Sequence, residues 1–118
     1  MATVYIAQDE RLERPVALKV MHPHLADSQD FVTRFRREAR SAARIVHPGV
    51  VSVFDQGVIT GQGFLVMELI DGTNLRQLLR AQGAFTIPQA LRYTTDTLEA
   101  LRAAHRVGVI HRDIKPEN

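Results

Sequence analysis

The sequence predicts an α+β chain: a small antiparallel sheet interrupted by one helix, followed by a helical portion. Three observations carry this. Short β-branched runs come in pairs joined by polar or glycine-rich turns, at 3–8 with 16–21 and at 50–55 with 64–69. Apolar residues recur at three- and four-residue steps over about 30–46 and again over 87–106. No repeat, low-complexity tract or flexible linker divides the 118 residues. The predicted order is ββ-α-ββ-α-α-loop.

Each element has a local cause. Thr3 to Gln8 is β-branched and aromatic, and the charged turn Asp9–Arg14 leads to Pro15, which opens the strand Val16–Met21. His22-Pro23-His24 ends that hairpin. In the first helix Phe31, Phe35, Ala42 and Ile45 form an apolar stripe, with Glu38 in its one gap. Arg34, Arg37, Arg40 and Arg44 lie on the opposite face, and Asp27, Ser28 and Asp30 are all cap candidates. His47-Pro48-Gly49 stops the helix. Gly57, Gly61 and Gly63 punctuate the second hairpin, and Asp71-Gly72-Thr73 turns into a short helix from Asn74 to Arg80. Thr86 and Gln89 form a capping box that opens the last helix, which Gly108 closes. Its face of Leu91, Leu98, Leu101 and His105 is apolar enough to need partners outside the chain.

Composition narrows the function. There are 15 Lys+Arg and 13 Asp+Glu, a net charge of +2, too even for a protein that coats nucleic acid. The absence of cysteine excludes disulfides, thiol catalysis and Cys-ligated zinc. The central apolar run Phe64–Met67 stops at Glu68, far short of the ~20 residues of a membrane span. The N-terminus lacks the pattern of a signal peptide.

Three features resist a purely local explanation. Lys19 sits in a strand that is apolar on both faces, so it needs either an anion or a route to solvent. Glu38 sits within a helix's apolar stripe. An inward Lys19–Glu38 ion pair would satisfy both, although each alone could simply reach solvent. Third, His111-Arg112-Asp113-Ile114-Lys115-Pro116-Glu117-Asn118 brings acid, base and amide groups together after a helix. Asp can accept a hydroxyl proton, Lys can neutralise a moving phosphoryl group, and Asn can offer an oxygen to Mg²⁺.

These residues resemble a family. The terminal octet resembles the protein-kinase catalytic loop H-R-D-L-x-x-x-N, and Val16-Ala17-Leu18-Lys19 resembles the V-A-I-K strand. Glu38 falls where the glutamate of the family's helix αC belongs. Arg34–Ala39, His47–Val51 and Lys115-Pro116-Glu117 resemble the bacterial Hanks-type serine/threonine kinases. The resemblance spans essentially the whole chain. It implies a protein-kinase-like fold with a small lobe over 1–70, and the hinge exit, first large-lobe helices and catalytic loop over 71–118.

The resemblance also implies roles. Lys19 would contact the ATP α/β-phosphates and pair with Glu38. Val4 and Ala17 would cover the adenine, Met67 would be the gatekeeper, and the backbone of Glu68 and Ile70 would bond the adenine edge. Asn74 would lie near the ribose. Asp113 would be the catalytic base, Lys115 would stabilise the γ-phosphoryl, and Asn118 would bind Mg²⁺. His111 would be a packed structural residue, and Arg112 implies an activation loop ordered by phosphorylation.

The same comparison suggests a chain truncated at both ends. Only the tail of a Gly-rich loop is expected, with Ala2 at its third glycine, and a D-F-G aspartate is expected after Asn118. Isolated residues 1–118 are therefore expected not to transfer phosphate. The implied partners are protein substrates and a second kinase small lobe in a dimer, with neither nucleic acid nor a membrane touching this segment. The expected setting is cytoplasmic, within a parent protein that could be membrane-anchored. The alternatives are a non-catalytic module that binds nucleotide or a partner, and a small-molecule phosphotransferase of similar fold.

Overall fold

Residues 2–22 and 29–118 are described by a computed structural model. The elements are β1 (Ala2–Asp9), β2 (Arg14–Met21), α1 (Gln29–Ala42), β3 (Val53–Ile59), β4 (Gln62–Met67), α2 (Leu75–Gln82) and α3 (Ile87–Arg106). The predicted order holds throughout. The four strands form one antiparallel sheet in the order β1-β2-β4-β3, which places β2 and β4 at its centre.

Local chemistry sets the hairpins. The Asp9 carboxylate accepts the backbone N–H groups of Arg11 and Leu12, which folds the charged turn back on itself. The β3–β4 turn places Thr60 at φ 49° and Gly61 at φ 76°, consecutive left-handed residues that suit a tight hairpin. β3 starts at Val53 rather than Val50, because 47–50 close a turn through Val50 N–H to His47 O.

α1 is shorter than the sequence predicts. After Ala42 the chain tightens, with Arg44 N–H bonding Ser41 O and Ile45 N–H bonding Ala42 O. These three-residue steps end the helix before Pro48 could clash with it. The buried row of α1 is Phe35 and Ala39, with Ala42 half-buried beyond them. Glu38 lies one position away from that row and is exposed. The cap candidates Asp27 and Ser28 lie outside the described residues, as does Pro23-His24 at the expected end of the first hairpin.

Helix α2 is capped by Asn74, whose side chain accepts from Gln77 N–H while the Gln77 side chain accepts from Asn74 N–H. Thr86 and Gln89 form the predicted box on α3, whose bounds match the expectation. Gly83 and Gly108 take the positive φ that follows a helix end. α3 turns its small residues inward: Ala104 is buried, and Ala100 approaches Gly49 in the loop after α1. Leu91 and Leu98 stay exposed, as expected of a face that finds no cover among the described residues. No helix among the described residues is long and apolar enough to cross a membrane.

The core of the sheet half is small. Val16 and Ala17 of β2 are buried, and Phe35 of α1 lies over the backbone of Gly63 in β4. A Cβ at Gly63 would come within 3.2 Å of the Phe35 ring. Phe35 is therefore the main apolar anchor of α1 on the sheet. Phe35→Ala should cost about 3 kcal/mol. It should lower the thermal midpoint and speed amide exchange across α1 more than across α3. Uniform exchange in both helices would contradict that anchoring.

Candidate active site

The register of β2 assembles one face. Val4 stands opposite Lys19, and Lys19 opposite Leu65; Ala17 stands opposite Met67. Facing residues in an antiparallel pair share a side, and so do i and i+2. Val4, Ala17, Lys19 and Met67 therefore lie on one surface of the sheet. Ala17 is buried, Lys19 and Met67 are half-buried, and Val4 is exposed. Gly63 belongs to the same surface, so α1 packs on the side that carries Lys19.

The expected Lys19–Glu38 ion pair is not formed. Among the described residues no ion pair includes either side chain. The reason is the burial row of α1. Inward positions run from Phe35 to Ala39, about 400° around the helix, and Glu38 is about 100° short of Ala39. Its carboxylate is turned to solvent rather than to the sheet.

Where the chain leaves β4, Glu68 is fixed twice. Its N–H donates to Ser52 O at 2.9 Å and its carboxylate accepts from Ser52 N–H at 3.1 Å. This use of Glu68 was not visible in the sequence. Ile70, two residues further on, is exposed. Asn74 caps α2, and its Nδ2 also donates to Glu117 O at 3.3 Å. Both ends of its amide are thus engaged within the fold.

The second cluster is the loop after α3. Asp113 Oδ2 accepts from Lys115 Nζ at 2.7 Å, and the Asn118 side-chain N–H₂ donates to Asp113 O. The Asp113 N–H donates to His111 Nδ1 at 3.3 Å. Arg112 takes φ 65°, a left-handed conformation costly for a residue with a Cβ. His111 is exposed rather than packed, because no element among the described residues covers the loop.

The loop is tied to α2 by contacts that sequence reading missed. Arg76 Nε donates to Glu117 Oε1 at 2.8 Å, and Arg76 N–H donates to Pro116 O at 2.9 Å. With the Asn74 bond, three contacts join the first turn of α2 to Pro116-Glu117. The partners are 40 or more positions apart, and neither arginine nor glutamate is unusual on a surface.

Electrostatics follow this geometry. The Lys115 hydrogen bond holds the Asp113 carboxyl below its ordinary range, and Asp113 in turn raises Lys115. The Arg76 hydrogen bond lowers Glu117. A lowered carboxyl contributes its attraction above its ordinary value and loses it as pH falls through the lowered one. Asp113 is thus ionised at neutral pH, with Lys115 on Oδ2 and the Asn118 side chain also favouring the charged form.

The comparisons with known proteins agree over the whole length. The profile of the protein kinase domain matches residues 1–118. The chain belongs to the protein kinase family. A probable serine/threonine-protein kinase of Bifidobacterium longum, pknA2, is 56% identical over 100% of this chain and 16% of its own length. Serine/threonine-protein kinase PknL of Mycobacterium tuberculosis is 49% identical over 99% of this chain and 29% of its own. A crystal structure of the M. tuberculosis PknI kinase domain superposes with a TM-score of 0.89 at 35% identity, covering 100% of this chain and 48% of that one. The kinase chain described here spans less than a third of these two curated relatives and about half of the solved domain.

Two outcomes test the loop. In Lys115→Met the Asp113 carboxyl should titrate at higher pH than in the native protein, read from its carboxyl ¹³C shift; an unchanged midpoint would assign the lowering elsewhere. In Arg76→Gln the Asn118 amide should exchange faster, with α3 unaffected, as measured by hydrogen exchange.

Proposed function

We propose that this chain supplies the nucleotide-binding small lobe (1–70) and the start of the large lobe with its catalytic loop (71–118) to an ATP- and Mg²⁺-dependent kinase acting on serine and threonine of proteins. The observation that carries the reading is the arrangement of Asp113, Lys115 and Asn118 in one loop tied to α2. Val4, Ala17 and Met67 form the apolar surface for the adenine ring, and the Glu68 and Ile70 backbone meets its polar edge. Lys19, on the same face, holds the α/β-phosphates. Asn74 sits near the ribose and keeps the hinge exit in register with the loop.

Asp113 orients the substrate hydroxyl through its carboxylate and takes its proton as the hydroxyl oxygen bonds to the γ-phosphorus of ATP and the bond to the departing ADP breaks. A carboxylate held below its usual range is a weak base, so orientation comes first and proton acceptance late. Lys115 faces the charge of the transferring phosphoryl group. The Asn118 oxygen would be a ligand for Mg²⁺, which when bound would neutralise phosphate charge. One amide oxygen does not hold that ion, and the described residues contain no cluster of acidic or histidine side chains suited to a metal. Residues 1–118 alone are thus inactive in this reading, and further ligands come from other residues. Docking of two small lobes on each other is also part of it.

The exposed Glu38 favours a second reading, a module that binds nucleotide without transferring phosphate. The full-length protein with ATP, Mg²⁺ and a protein substrate separates the two. Asp113→Asn should reduce phosphoserine and phosphothreonine formation by about 10²–10⁴-fold. Lys19→Met should weaken nucleotide binding. Binding of nucleotide by the native protein with no transfer would establish the second reading.

A further inference from the structure

The arginines of α1 are used by neither the core nor the site above. Residues 34–44 hold five arginines and one glutamate, a charge of +4 in a chain of net +2, so the remainder is net acidic. Thr33, Arg36, Arg37, Arg40, Ser41 and Arg44 line one open groove of about 660 Å³. Arg36, Arg37, Arg40 and Arg44 are all exposed, and none enters an ion pair among the described residues.

Such a stripe is unfavourable without an occupant. Arg36 and Arg40 are four apart on the helix and Arg37 and Arg40 three apart, and like charges at such spacings repel. Arg40 lies in the last turn, where the helix dipole favours a cation, but Arg36 and Arg37 do not. Guanidinium groups in such a row can bind an oxyanion through paired N–H donors, and the Ser41 hydroxyl lies on the same groove.

We propose that this groove binds a phosphorylated serine or threonine on a protein segment. No aliphatic or aromatic side chain lines the groove, so an acyl chain meets only arginine methylenes and a base finds no ring on which to stack. A phosphomonoester carries nearly twice the charge of a carboxylate on one compact group. The choice of that group rests on the serine/threonine kinase reading, whose product it is; the groove's affinity for anions does not.

The test is binding by the full-length protein without ATP or Mg²⁺, so loss of catalysis does not affect it. A fluorescein-labelled peptide with one phosphothreonine among neutral residues should bind roughly tenfold tighter than the same peptide with threonine. The triple variant Arg36→Gln, Arg37→Gln, Arg40→Gln should lose that preference, and Arg102→Gln with Arg106→Gln on α3 should keep it. Adding the phosphopeptide to the native protein should slow amide exchange in α1, a readout that needs no variant to fold. Equal binding of the two peptides, a preference that survives a folded triple variant, or no change in α1 exchange would overturn the proposal. So would stronger displacement of the peptide by phosphatidylserine vesicles or a DNA duplex than by unlabelled phosphopeptide. A protein that binds the phosphopeptide but transfers no phosphate would overturn the catalytic reading alone.

Discussion

The strand β2 is hydrogen-bonded on both sides, and much of the candidate site depends on its register. It is set against β1 through Ala17–Ile6 and Lys19–Val4, and against β4 through Ala17–Met67 and Lys19–Leu65. A slip of one residue in either ladder would send Lys19 to the opposite surface and separate it from Val4 or Met67. Two ladders that agree make such a slip doubly costly. Burial of Val16 and Ala17 adds an apolar reason for the same alignment.

The helical half depends on a different kind of constraint, a loop held from outside itself. The octet 111–118 contains a left-handed arginine and little burial, so its own residues do not fix its shape. Local bonds among His111, Asp113, Lys115 and Asn118 give it a compact form. The contacts from Asn74 and Arg76 then set where that form sits relative to the hinge. The charged and amide groups around Asp113 are thus oriented by the fold itself, before any ligand is bound.

What was legible in the sequence was mostly local. The bounds of α3 followed from Thr86, Pro88, Gln89 and Gly108, all of which act within a turn or two. The loop residues could be read because they are contiguous. α1 was overextended because Ile45 continues the apolar spacing, while the tightened turn after Ala42 depends on backbone bonds that spacing does not encode. Glu38 was misplaced because Phe35 to Ala42 allows two inward rows, through 38 or through 39, and packing against the sheet chose the second. Arg76 with Glu117, and Ser52 with Glu68, were invisible because their partners are distant in sequence and ordinary in type.

The seat of Phe35 has a mechanical consequence. A Cβ at position 63 would stand 3.2–3.3 Å from the ring, so any larger residue there would push the helix back by a few tenths of an ångström. The spacing between α1 and the sheet is thus gauged by the one residue that has no side chain to offer.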